Sequence, residues 1–126
     1  MVKIYFAHPI HTYNTILEEY FLEYFSQFQD IEIVNPNHPD HQKGYLDEGM
    51  EYFKKLVQGC DKLYAFGFGD NTIGAGIAKE MDWMYEKGGN VIFLPFFSKY
   101  EEQVVLKCNK QFKVLSIEET RKKLKK

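Results

Sequence analysis

Arginine occurs once in this chain, at Arg121. The side chain best suited to gripping phosphate in a bidentate fork is therefore nearly missing. The 16 basic residues face 18 acidic ones, for a net charge of −2, so no global positive field exists to collect nucleic acid or an anionic membrane surface. The one basic cluster, "RKKLKK", reads as a solvated helix end. Cysteine is as scarce: Cys60 and Cys108 stand far apart with no CxxC, which excludes a disulfide framework and points to free buried thiols in a reducing compartment. Long apolar runs and a signal-peptide pattern are both missing, so a cytoplasmic protein is expected.

Aromatic residues, by contrast, are plentiful, at 17% with 11 Phe and 9 Tyr. Such a supply is first a means of filling a core and second a set of stacking platforms. The 126 residues suffice for one hydrophobic core and are too few for two, so residues 1–126 are expected to form a single domain.

Strand and helix patterns alternate along the chain. "VKIYFAH" is rich in β-formers and apolar on both faces, as a strand inside a parallel sheet should be. Thr12 is placed to cap a helix whose apolar positions run Tyr13, Ile16, Leu17, Tyr20, Phe21, Tyr24, Phe25 and Phe28. "IEIV" is a second strand. "NPNHPDHQKGY" reads as a long loop, because its prolines, glycine and Asn/Asp residues oppose regular structure. A helix is expected from about Asp47 to Gln58, then the strand "KLYAFGF", the turn "GDNTIGAG", a helix over 75–87, and the strand "NVIFLP". Residues 97–111 fit strand, helix or lid equally. "FKVLS" is expected to supply a fifth strand, and Ser116 with Glu119 forms a capping box for a last helix. Such alternation implies a parallel α/β sheet with helices on both faces, whose ligands gather at the carboxyl ends of the strands.

The helix over 75–87 contains an anomaly. Its apolar stripe is Ile77, Met81, Met84 and Tyr85, and Glu80 lies on that stripe, three after Ile77 and four before Met84. An ionised, unpaired carboxylate there would be costly, so it is either satisfied by a neighbouring amide or hydroxyl or belongs to a site, as nucleophile or general base. "GDNTIGAG" offers amides to a phosphate but lacks the Walker Lys-Ser/Thr pair and the GxGxxG spacing, which disfavours a nucleotide triphosphatase or a standard dinucleotide fold. All four histidines fall in "HPIH" and "HPDH", as His8, His11, His38 and His41. With Asp40 they make a metal site conceivable, although HxxH in a proline-turned loop lacks the helical frame that aims two imidazoles at one ion.

"KIYFAHPI", "VNPNHP", "CDKLYAF" and "GAGIAKEMDWMYEKGGNVIFL", in that order, resemble the nucleoside 2-deoxyribosyltransferase-like superfamily over roughly residues 2–95. The most specific element is a small-residue turn followed by glycine, three residues and glutamate, here Gly76 to Glu80. The resemblance implies a flavodoxin-like three-layer domain with a mostly parallel sheet of about five strands. It implies that Glu80 is the nucleophile at an anomeric carbon, that Tyr5 hydrogen-bonds to it, and that a nucleoside or nucleotide is cleaved or exchanged at its N-glycosidic bond. Ala7, His8 and Pro9, with Gly74, Ala75 and Gly76, would hold the substrate through backbone amides. The position of the family's aspartate before the third strand is apolar here, near Phe53, with Glu51 the nearest acid. Asp70 and His8 are then the candidates for the acid that protonates the leaving base. No metal or organic cofactor is called for, and a homodimer or higher homo-oligomer is expected. The rival readings are a non-catalytic module binding a nucleotide signal and a metal enzyme built on the histidine loops.

Overall fold

The computed structural model describes residues 1–68, 72–94, 103–105 and 113–124. In chain order the elements are β1 (Val2–Ala7), α1 (Ile16–Ser26), β2 (Ile31–Val34), α2 (Pro39–Glu48), α3 (Met50–Gln58), β3 (Lys62–Ala65), β4 (Thr72–Ile73), α4 (Ala75–Glu86), β5 (Asn90–Phe93), β6 (Gln103–Val105), β7 (Lys113–Val114) and α5 (Ile117–Leu124). The main sheet runs β2-β1-β3-β5-β6, parallel except for β6, which is antiparallel to β5. This is the flavodoxin-like arrangement. Its strand order reverses between β1 and β3, and β1 is central, with Tyr5 opposite Val34 on one side and Leu63 on the other.

Both faces of β1 are covered, which is why "IYFA" shows no polar alternation. Ile4 and Phe6 point to the face held by α1, where they meet Phe21, Tyr24 and Phe25. Tyr5 and Ala7 point to the other face, where α3 supplies Val57 and α4 supplies Ile77, Met81 and Met84. The aromatic supply is spent largely on the α1 face: the Phe6 ring meets those of Phe21, Phe25 and Phe66 at centroid distances of 6.3, 5.2 and 5.7 Å.

Several expectations are corrected. Helix α1 is capped by Thr15, whose hydroxyl accepts from the Glu18 amide, while Thr12 closes a short 3-10 turn and Tyr13 lies outside the helix. Ile16 is 84% exposed, so the apolar stripe begins later than its period suggests. The supposed loop at "HPDHQKGY" is helix α2. Pro39 occupies its first turn, where no amide hydrogen is needed, and His38 caps it by accepting from the Asp40 amide at 3.1 Å. Gly44 is not a breaker but a contact point: a Cβ there would fall 2.0 Å from the Tyr52 ring of α3. The helix expected over 47–58 is divided at Gly49, whose φ of +69° ends α2 and turns the chain into α3.

The fifth strand of the main sheet is β6, inside the segment whose pattern was ambiguous. "FKVLS" instead gives β7, which pairs with β4 in a separate two-stranded sheet. The Ser116–Glu119 capping box forms in both directions, each bond 3.1 Å. No described helix is long and apolar enough to cross a membrane.

Candidate active site

Strand alternation sorts the chemistry at the end of β1. Tyr5 faces α4, and its hydroxyl donates to Glu80 Oε2. The carboxylate on the apolar stripe is thereby partnered, and Oε1 remains for another group. Burial pushes the Glu80 carboxyl up, and the Tyr5 hydrogen bond offsets only part of this, leaving a pKa of about 7. Burial and the adjacent Glu80 raise the Tyr5 phenol well above its ordinary value, so it stays protonated and donates to the carboxylate.

His8 goes the other way. Its ring stacks on Phe6 at 4.0 Å and 16°, on the α1 face, and is buried. Nδ1 lies 2.9 Å from the Phe6 carbonyl and Nε2 lies 2.7 Å from Glu18 Oε2. Both partners accept, so Nδ1 carries a hydrogen and a second proton lies between Nε2 and the carboxyl. Glu18 also accepts from the Asn14 amide at 3.0 Å and from Asn37 Nδ2 at 3.0 and 3.1 Å. Burial pushes Glu18 up, but the hydrogen bonds from His8, Asn14 and Asn37 outweigh it and hold the carboxyl below its ordinary value. Burial lowers the His8 ring and outweighs the upward pull of its Glu18 and Phe6 contacts. The outcome is a buried hydrogen-bonded pair that leaves neither imidazole nitrogen to protonate a departing base.

Beside Glu80 opens a cavity of about 400 Å³ at the carboxyl ends of the strands. Of the residues named from the sequence, His8, Pro9, Gly74 and Gly76 reach its wall. Ala7 does not; it is fully buried, and its carbonyl accepts from the Phe66 amide at 3.3 Å. Ala75 is also absent from the wall, because its amide donates to Thr120 Oγ1 of α5 at 3.0 Å. The start of α4 is thus partly covered by α5, and a Cβ on Gly74 would sit 3.0 Å from the Thr120 methyl. No such neighbour crowds Gly76, where a Cβ would meet open space. Tyr45, Met50, Phe53 and Phe68 add apolar and aromatic surface to the wall. Glu80 is the sole acidic side chain among the described residues of the wall, and no lysine or arginine is among them.

Asp70 lies outside the described residues. The four histidines have four separate tasks: His8 pairs with Glu18, His11 stacks on Phe68 at 5.5 Å, His38 caps α2, and His41 Nδ1 lies 2.6 Å from the Tyr52 hydroxyl. Among the described residues no three His, Cys, Asp or Glu side chains converge as metal ligands would. Sequence reasoning missed Glu18, Asn37, Tyr13 and Thr120. The signal for Glu18 was present in "TILE", a threonine three residues before a glutamate at a helix start.

Fold and cleft together define a flavodoxin-like α/β domain with one tyrosine-bonded, high-pKa carboxylate beside an apolar cavity at the strands' carboxyl ends. Comparison with protein-family models, with curated proteins and with solved structures finds no match.

Proposed function

We propose that the cavity binds a nucleoside or nucleotide and that Glu80 breaks or exchanges its N-glycosidic bond. The observation that carries this reading is the Tyr5–Glu80 hydrogen bond at the edge of the cavity. In the forward step Glu80 Oε1 attacks the anomeric carbon while the carbon–nitrogen bond breaks and its electron pair leaves with the base, which takes up a proton. Tyr5 holds Oε2 and so aims the attacking oxygen. Water or an acceptor base then attacks the same carbon, the glycosyl–Glu80 ester bond breaks, and the carboxylate is restored with overall retention at that carbon. The aromatic wall suits a flat base by stacking. A nucleophile must be ionised, so turnover should rise with pH through about 7.

The test is incubation with a panel of deoxynucleosides and nucleotides, with free base followed by chromatography. Base release by the wild type that is lost in Glu80→Gln supports the reading; no release from any member of the panel rejects it. One observation favours a second reading, a binding module without turnover: no second acid lines the described wall of the cavity. Tight binding with no base released would select it. Self-association belongs to the same proposal, and sedimentation showing only monomer at micromolar concentration would remove that part.

A further inference from the structure

We infer that Tyr13 orients the ligand for Glu80, and that the buried His8–Glu18 pair serves to hold Tyr13 in place; this rests on the reading of the cavity as a nucleoside site. Tyr13 lines the same cavity as Glu80. Its hydroxyl has no protein partner among the described residues, whereas the hydroxyl of Tyr5 is committed to Glu80. Everything around the Tyr13 backbone and ring is fixed. Its amide donates to the Ile10 carbonyl at 3.0 Å, and the preceding Thr12 hydroxyl donates to the Pro9 carbonyl at 2.6 Å. Its ring lies 4.8 Å from that of His8, tilted 45°. The next residue, Asn14, has a φ of +60°, gives its amide to Glu18, and accepts from Asn37 Nδ2 at 3.0 Å.

A non-glycine residue in the left-handed region and a buried imidazole–carboxyl pair both lower stability relative to relaxed apolar packing. Neither is required merely to close a turn between strand and helix. What the arrangement achieves is a rigid phenol with a free hydroxyl at the cavity wall. Burial, together with the Glu80 and Glu18 carboxylates, raises that phenol above its ordinary pKa, so it is a hydrogen-bond donor throughout the neutral range. Two acidic neighbours also disfavour an anion at this point. The ligand group that Tyr13 meets is therefore an uncharged oxygen, such as a sugar hydroxyl or ring oxygen or a base carbonyl, and not a phosphate.

The inert background Glu80→Gln allows binding to be measured without turnover. Calorimetric titration of that variant with 2′-deoxyadenosine, 2′-deoxyguanosine, 2′-deoxycytidine and thymidine is compared with the Tyr13→Phe, Glu80→Gln double variant. Phenylalanine keeps the ring against His8 and removes only the unpartnered hydroxyl, so the fold is retained. We expect about tenfold weaker binding, with the unfolding midpoint within about one degree of the background. Glu18→Gln, or Asn14→Gly should that variant fail to fold, is expected to weaken binding as well, with little further loss when Tyr13→Phe is added, because both act through the same hydroxyl. Unchanged affinity in the Tyr13→Phe variant overturns the role of Tyr13 while leaving the nucleoside site standing, and fully additive losses overturn the positioning role of the pair. If no nucleoside binds the background and none is cleaved by the wild type, the proposed function falls and this inference with it.

Discussion

Helix α1 follows β1 and helix α4 follows β4, on opposite faces of the main sheet, and each carries one carboxylate on its inward side near the first turns. They are treated in opposite ways. Helix α1 starts at a threonine whose hydroxyl accepts from the Glu18 amide, has Glu18 and Glu19 in its first turn, and surrounds Glu18 with His8, Asn14 and Asn37. Helix α4 starts at Gly74 with no side-chain cap, has no acid in its first turn, places a glycine at its second position, and gives Glu80 a single donor. Stabilising devices accumulate at the first start, whereas the second has the bond from the Ala75 amide to Thr120 Oγ1 and no cap of its own. The carboxyl pKa follows suit, held down at Glu18 and raised to about 7 at Glu80. Glu18 is therefore read as a fully partnered positioning group and Glu80 as a group kept reactive at a cost in stability.

The largest effect expected from this contrast concerns Glu18. Replacement by alanine would strand the buried His8 ring and the donors of Asn14 and Asn37, at a cost of about 3–5 kcal/mol. Urea denaturation at pH 7 measures it, and a loss below about 1 kcal/mol would erase the distinction between the two sites. The linkage has a definite sign. Glu18 is depressed in the folded state, so its contribution is present above its ordinary value of 4.5 and is lost as pH falls below it.

Glu80 should show the reverse. Its folded pKa lies above 4.5, at about 7, so the native state binds the proton more tightly than the unfolded chain does. The contribution is complete below pH 4.5 and is lost as pH rises through 7. Glu80→Gln keeps an acceptor for Tyr5 and removes the titration. The variant should match the wild type near pH 4.5 and exceed it by up to about 3 kcal/mol at pH 8, while losing turnover by on the order of a thousandfold. A variant that is inactive but no more stable at pH 8 would mean that Glu80 is not strained in the native protein.

The contrast was only half legible in the residues. Glu80 drew notice because it interrupts an apolar helical stripe, and that inference needed only a period of three and four. The same arithmetic applies to Glu18, three before Phe21 and seven before Phe25, but "LEE" reads as a polar face when two acids stand together. Only contact with His8 and Asn14, from the connection between β1 and α1, and with Asn37, from the loop after β2, shows which of the two acids is buried. His8 was misjudged for a related reason. Its place after β1 was evident, but the face it takes depends on counting alternation from Tyr5, and that count sends it to α1 and away from Glu80. The parallel α/β class followed from the alternation of patterns. The helix at Pro39 was hidden, because proline and glycine are breakers only where they lack a first-turn position or a ring such as Tyr52 to receive them.

Tyr5→Phe sharpens the contrast on the Glu80 side by removing its only donor among the described residues. The hydrogen bond from Tyr5 lowers the Glu80 pKa, so its loss should raise that pKa further and move the acidic limb of the pH–rate profile upward by about one pH unit. Stability at neutral pH should fall by about 1 kcal/mol. An unmoved limb would separate the ionisation that governs turnover from Glu80.

The smallest effects come from the helix starts themselves, where paired substitutions should have opposite signs. Thr15→Ala removes the hydroxyl that accepts from the Glu18 amide and should cost about 1 kcal/mol. Gly76→Ala adds a methyl group in open space, at a helical position without a positive φ, and should add about 0.5–1 kcal/mol. If stability alone had shaped both starts, that gain would already be present at position 76. Gly76 lines the cavity beside Glu80, so the added methyl is expected to raise KM while the thermal midpoint climbs. A stabilised variant with unchanged KM would show that the bare start of α4 does not serve the ligand, and the asymmetry between the two helices would lose its functional meaning.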